Sequence, residues 1–233
     1  MAASRARIES AAIVGGIAIF VALEGAAMAL YPGGTWWDAT VQGHRFWRNY
    51  LCDLEWRVAL NGQPNPVGSW LAQGAMLVLV LTLAPFWLAA ADLFAPSDAR
   101  AGSAVRALGF VSVGATLAVI FMPSERFGAL HGVMVILACV PGFAAAALAV
   151  GYQLRGEPRA RMAAPIGAAT LAVSVVDLGL YASHLVAGVE GTVAVPILEK
   201  LALMLLLAWL LVVAKKRQPD RDPVETPRVR GAS

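Results

Sequence analysis

Few residues in this sequence have chemistry to offer, and most of them lie inside or beside long apolar runs. Asp177, Tyr181 and His184 follow one another at spacings of four and three, which places them along one face of a helix. Glu24, His131, Glu199 and Lys200 fall near the ends of other apolar runs. An ionisable side chain at the centre of a bilayer costs about 2.5–3.5 kcal/mol on insertion scales, so such groups turn toward a protein interior or a water-filled cavity. Two imidazoles at matching depth with a carboxylate beneath one of them form a donor set that suits a divalent ion such as zinc, with a fourth position open for water. His131, Asp177 and His184 are therefore the candidate metal ligands. Asp53, Asp177 and Glu199 are candidate catalytic carboxylates, with Asp53 or Glu199 as general base. Glu24, Asn49, Tyr181 and Lys200 are candidate substrate contacts. The same groups support acid–base chemistry without a metal.

Each candidate also has a plainer reading. Glu199 and Lys200 are adjacent and leave a helix in different directions, and Lys200 can snorkel to the interface. Glu24 can hydrogen-bond a neighbouring helix, and a lone membrane histidine is often a packing residue. His44, beside Arg45 in a polar stretch, reads as solvated.

The elements that must position these residues follow from composition. Of 233 residues, 59% are hydrophobic and 14% charged, a balance that makes the bilayer the natural solvent. Six apolar runs, near 10–31, 68–91, 103–122, 128–151, 163–187 and 195–214, are long enough to cross a hydrocarbon core of roughly 30 Å. The expected fold class is an all-α, polytopic membrane bundle of six helices over residues 1–216, with a disordered tail at 217–233. The net charge of +3 is not a nucleic-acid signature here, because the basic residues flank the apolar runs. Arg5, Arg7, Arg100, Arg106, Arg155, Arg159, Arg161, Lys215, Lys216 and Arg217 gather on one side, against Arg45, Arg48, Arg57 and Arg126 on the other. The richer side is expected to be cytoplasmic, which puts both termini inside and makes the chain a multi-pass protein of the cell membrane, with lipids as its partners. The first run follows Arg5 and Arg7 as a signal peptide would, but ends in Tyr31-Pro32-Gly33-Gly34 instead of a small-residue cleavage site, and reads as a retained span. Cys52 and Cys139 make no CxxC pair, and no phosphate-binding glycine motif is present.

Between the first two runs lies a segment too polar to span, from Pro32 to Val67, carrying Trp36, Trp37, Trp47, Tyr50 and Trp56. Its aromatics suit the membrane–water interface. Within it Asn49 and Asp53 stand at i, i+4, so on a short helix they point together over the bundle mouth, or Asp53 acts as a cap. Asn61-Gly62-Gln63-Pro64-Asn65 reads as turns. These stretches, with Tyr31 to Gly34, Asn49 to Leu54, His131 and the six-span layout, resemble the membrane proteins called domain-of-unknown-function family 998. The resemblance covers the chain up to about Val213 and implies a fold without an activity; Cys52 stands where that family usually has serine. A more distant likeness is to membrane hydrolases of the alkaline-ceramidase and adiponectin-receptor type, which use intramembrane histidines, aspartate and serine around zinc against a lipid amide. This chain has two intramembrane histidines, not three, and lacks a seventh span. The leading expectation is a metal-assisted hydrolase or transferase acting on a lipid or lipid-linked substrate from the outer leaflet. The alternatives are a small transporter or proton-coupled permeation protein with Glu24, Asp177 and His184 as a relay, and a scaffold or sensor whose polar groups only specify packing.

Overall fold

The computed structural model of the chain describes residues 2–92, 98–155, 161–187 and 192–217. The tail expected to be disordered lies, but for its first residue, outside them. Hydrocarbon offers no partner to a backbone N–H or C=O, so a chain this apolar satisfies itself by forming helices. Six of them are long and apolar enough to cross a membrane: α1 Ala2–Leu30, α2 Pro66–Asp92, α3 Ala99–Ile120, α4 Ala129–Arg155, α5 Ala164–Ala187 and α6 Ala194–Arg217. All six expected spans are present, each within a few residues of its expected core, and the fold is the all-α polytopic bundle. An even number of crossings brings the two ends of the bundle back to one side.

Local chemistry sets several boundaries. Pro66 opens α2, where its missing N–H costs nothing. Asp98 caps α3 by accepting a hydrogen bond from the Ala101 N–H at 3.0 Å. Pro85 and Pro141 sit inside α2 and α4, which membrane helices tolerate because neighbouring groups satisfy the freed carbonyls.

Consecutive helices pack side by side from α1 to α6, and α6 returns to touch both α1 and α2. Helices α2 to α6 therefore close a ring, with α1 lying in the seam between α2 and α6. Glycines let these neighbours approach. A methyl group on Gly109 would fall 2.4 Å from the Trp87 ring, one on Gly142 2.7 Å from Ser112 Oγ, and one on Gly167 2.7 Å from Trp209. Small residues at contacts are how membrane helices gain van der Waals packing without a hydrophobic drive between them. Large apolar residues such as Ile19, Val21, Phe110, Val111, Val140 and Val176 face outward, as a lipid-facing surface requires.

The segment between α1 and α2 is folded, beyond the interfacial role expected of its aromatics. A hairpin pairs β1 Gly33–Thr35 with β2 Asp38–Gln42 around Trp36 and Trp37, and a short 3-10 helix follows at Leu51–Glu55. Gly34 has φ 86°, and a side chain there would meet the Asn61 N at 2.4 Å, so glycine is required where the hairpin leaves the bundle. Tyr31, Leu54, Ala59 and Ala72 form a small core beneath this cap. The main core lies toward the opposite end of the bundle, where Phe86 stacks edge-on against Trp209 at 5.0 Å and tilts against Trp87 at 4.9 Å.

Candidate active site

Under the cap, in the half of the bundle that the basic-residue asymmetry leads one to expect outside, the ring is hollow. A cavity of about 350 Å³ is lined by Glu55, Cys52 and Tyr50 from the cap, His131 from α4, Asp177 and Tyr181 from α5, and Glu199 from α6. Its lower walls are Met76, Leu79, Val135, Phe143, Leu203 and Leu206, with Thr116, Cys139 and Ser174 the only polar side chains among the lining residues at that depth. On α4 the lining runs from His131 to Phe143, so the hollow extends roughly 18 Å along that helix at 1.5 Å per residue.

The position of the 3-10 helix decides which cap residues face the cavity. It is bonded on three sides. Leu51 donates its N–H to Glu199 Oε2 of α6 at 3.1 Å. Asn65 Nδ2 donates to the Leu54 and Trp56 carbonyls, and Ser69 Oγ of α2 to the Glu55 carbonyl at 2.6 Å. Trp56 Nε1 donates to Ser124 Oγ at 2.9 Å, and the Arg57 N–H to Glu125, both on a single helical turn at Ser124–Phe127 between α3 and α4. In a 3-10 helix residues three apart eclipse, so Cys52 and Glu55 look into the cavity together.

Asp53 looks the other way. Its Oδ1 accepts from Trp36 Nε1 at 2.9 Å, and its Oδ2 from the Tyr50 N–H at 2.9 Å and Asn49 Nδ2 at 3.2 Å. Asn49 and Asp53 do not share a helical face, because the 3-10 helix starts at Leu51 and Tyr50 before it is extended; their side chains meet instead inside the cap, where Asn49 also donates to the Gly34 carbonyl and accepts from the Arg45 N–H. Neither lines the cavity. Asp53 is the cap's internal anchor: burial pushes its pKa up to about 6, against the pull of those three hydrogen bonds.

Glu55, which was not among the candidates, takes the place expected of Asp53. It is 5% exposed, and its carboxyl makes no hydrogen bond among the described residues. Burial pushes its pKa up to about 8, helped by the charges of Glu24 and Glu199. The clue in the sequence was the Cys52–Glu55 spacing of three alongside apolar Leu51 and Leu54. Cys52 is held well above the usual thiol range, first by burial and then by Asp53, so it is no ready nucleophile. His44 is not solvated: its ring packs edge-on against Tyr31 and Phe46, its Nε2 is buried without a partner among the described residues, and burial lowers its pKa to about 4.

Lys200 does not snorkel. It is 1% exposed, and its Nζ donates to Glu199 Oε2 at 2.8 Å and to the Asn49 carbonyl. The two adjacent side chains curl toward each other, because each is long enough to reach round the helix, and the pair latches the cap to α6. Glu24, on α1 outside the cavity wall, is 4% exposed, and both its oxygens are buried without a hydrogen-bond partner among the described residues.

The expected metal ligands separate. His131 is buried at the cavity wall with Nδ1 2.6 Å from the Met122 carbonyl, and Asp177 lines the cavity with its Oδ1 buried and unpartnered among the described residues. His184 is exposed in the last turn of α5, one turn past Tyr181, and is not among the lining residues. The stripe is real, but it runs out of the bundle before its last member. Among the described residues no three His, Cys, Asp or Glu side chains converge so as to hold a metal ion. The donor set thus does not fit a three-ligand zinc centre. What the site assembles is three carboxyls on three elements, Glu55, Asp177 and Glu199, with two phenols and one imidazole around an apolar well.

Comparison with family models, with curated proteins and with solved structures finds no match to this chain.

Proposed function

We propose that this integral membrane protein is an enzyme that takes an amphiphile from the outer leaflet of the cell membrane and cleaves or transfers a group at its polar end by acid–base chemistry. The observation that carries this reading is the two-part character of one cavity, with carboxyls at its mouth and an apolar well below. Such a hollow matches a lipid, whose polar group and chain must be solvated by different surroundings at different depths. The carboxyls differ in the way a proton-transfer site needs. Glu55 keeps its proton up to about pH 8 and can give it to a leaving group, while Glu199 is paired with the Lys200 ammonium. For hydrolysis, Asp177 or Glu199 takes a proton from water as its oxygen attacks an ester or amide carbonyl carbon. Glu55 then protonates the departing oxygen or nitrogen. Asp53 and Asn49 position Glu55 by holding the cap together.

Weight against a permeation pathway comes from the inner half, where Phe86, Trp87 and Trp209 are buried and packed together below the well. The resemblance to family 998 extends the same reading to proteins that share the Asn49 to Leu54 stretch. The test is to reconstitute the full chain in nanodiscs of mixed polar lipids and follow the lipids by mass spectrometry over time. A lipid should be consumed and a product gained with wild type, and neither with Asp177→Asn. Unchanged lipids, with no amphiphile retained by the purified protein, would overturn the proposal.

A further inference from the structure

Resting on that reading, we propose that the cavity selects an amphiphile whose head is a primary ammonium. Three carboxyls line the hollow, from the cap, α5 and α6, and among the described residues the lining includes no lysine or arginine. Lys200, next to Glu199 in sequence, is committed to the Asn49 carbonyl and to Glu199. His131 has one ring nitrogen on the Met122 carbonyl. A cluster of acids alone would prove little, since acids also serve as packing groups. Here the second observation is the Glu55 carboxyl, 5% exposed, facing into the cavity and without a hydrogen-bond partner among the described residues. Asp177 Oδ1 shares that condition.

A buried polar group without a partner is costly, and a buried carboxylate more so, unless a ligand supplies the missing donor or charge. An ammonium has three N–H donors and no acceptor, and its charge favours the ionised form of a carboxyl beside it, so the proton that Glu55 holds in the empty cavity leaves as the amine enters and the head meets a rim of carboxylate oxygens. The phenol rings of Tyr50 and Tyr181 add faces on which a cation is favoured. A phosphate, sulfate or carboxylate head would meet like charge and find no lysine or arginine among the described lining residues. Below the rim, Leu79, Val135, Phe143, Leu203 and Leu206 take the alkyl chain. A single-chain amine and an aminophospholipid share this chemistry and differ in whether a phosphate must be left outside the rim.

The experiment uses the purified full chain in detergent and compares hexadecylamine, hexadecanol and palmitate at pH 7 by intrinsic tryptophan fluorescence and native mass spectrometry. Amine should bind about tenfold or more tightly than alcohol, the factor that one charge-assisted hydrogen bond supplies, and palmitate should bind most weakly. Glu55→Gln should cut the amine's advantage to about threefold or less while leaving hexadecanol binding in place. Should Glu55→Gln prove unfolded by size exclusion, Asp177→Asn makes the same test from a different element. Nanodiscs of phosphatidylethanolamine against phosphatidylglycerol then distinguish the sources, since retention of the former places aminophospholipids in the class and retention of neither restricts it to single-chain amines. Equal binding of amine and alcohol, or tighter binding of palmitate, overturns the head-group selectivity and leaves the amphiphile cavity standing. Binding of none of the three overturns both.

Discussion

The same five helices build two different interiors. Toward the end away from the cap, called here the inner end, Phe86, Trp87, Val105, Trp209 and Val213 are all buried and interlock over glycines at 109 and 167. About three turns further out, those helices present Ala138, Ala202, Val195 and a set of carboxyls, and leave a hollow that the 33–65 segment roofs over. The inner half spends its large side chains on filling space. In the outer half the chain instead adds a hairpin and a 3-10 helix, and holds them by side-chain to backbone hydrogen bonds. Stability and chemistry are thereby assigned to different depths of one bundle, and the assignment can be tested depth by depth.

The strongest test lies in the inner half. Trp209 is 1% exposed and touches Phe86, and its ring fills the space beside Gly167. Trp209→Ala should cost about 3–5 kcal/mol, the range for deleting a buried aromatic. Thermal unfolding in detergent would read this loss. A variant as stable as wild type would mean that the inner half is not the packed support described.

Next comes the latch between cap and bundle. Lys200→Met removes the donor to Glu199 and to the Asn49 carbonyl, and should cost about 1.5–3 kcal/mol, the range for hydrogen bonds to charged groups. The loss should be local. Hydrogen exchange should rise across residues 49–57 and stay unchanged in the inner turns of α2 and α6. Adding Glu199→Leu should restore part of the stability, because it removes a carboxylate left without its cation, although the Leu51 N–H then loses its acceptor. Uniform loosening of all six helices would contradict a cap held by its own latch.

A smaller effect is expected at His131, whose ring joins the start of α4 to the Met122 carbonyl just past the end of α3. His131→Ala should cost about 0.5–1.5 kcal/mol, the value of one ordinary hydrogen bond. It should leave the metal content of purified protein unchanged. A stoichiometric metal lost in this variant would reinstate the three-ligand centre that the exposed His184 argues against.

The spans were legible because bilayer thickness sets one length for every helix, so composition alone located Ala129–Arg155 and its companions. Asp177 and Tyr181 were legible for a related reason, since helical spacing of four holds wherever a helix forms. The cap was not. In a polar stretch with two short strands and one 3-10 turn, no single period tells inward from outward. Asp53 and Glu55 are two residues apart, and the bonds that the 3-10 helix and its flanks make with Ser69, Asn65, Ser124 and Glu199 decide which of them faces the cavity. His184 failed for another reason: periodicity gives the face of a helix and not the level at which its neighbours stop. The inward turn of Lys200 depended on an acceptor, the Asn49 carbonyl, that lies 151 residues away in sequence.

The finest test separates the two halves by proton uptake at Glu55. Its pKa in the folded chain is about 8, against an ordinary value of 4.5, because it is buried with Glu24 and Glu199 nearby. Between those values the folded state keeps a proton that the unfolded chain has released. Stability from this group is therefore fully present below about pH 4.5, falls as pH rises, and is flat again above about pH 8. Two other cap residues titrate in the acidic part of that window with opposite signs. Asp53, raised from 3.8 to about 6, adds a fall with pH, whereas His44, lowered from 6.5 to about 4, adds a rise. From about pH 6.5 to 8 neither contributes, so the difference between wild type and Glu55→Gln isolates the Glu55 contribution there. The melting temperature of wild type should fall across that interval relative to the variant, and the two curves should run parallel above it. An inner-half variant such as Trp209→Ala should lower the whole curve without changing its slope. If Glu55→Gln keeps the wild-type slope, the carboxyl titrates as an ordinary solvated acid, and the outer half loses the proton donor on which its proposed chemistry depends.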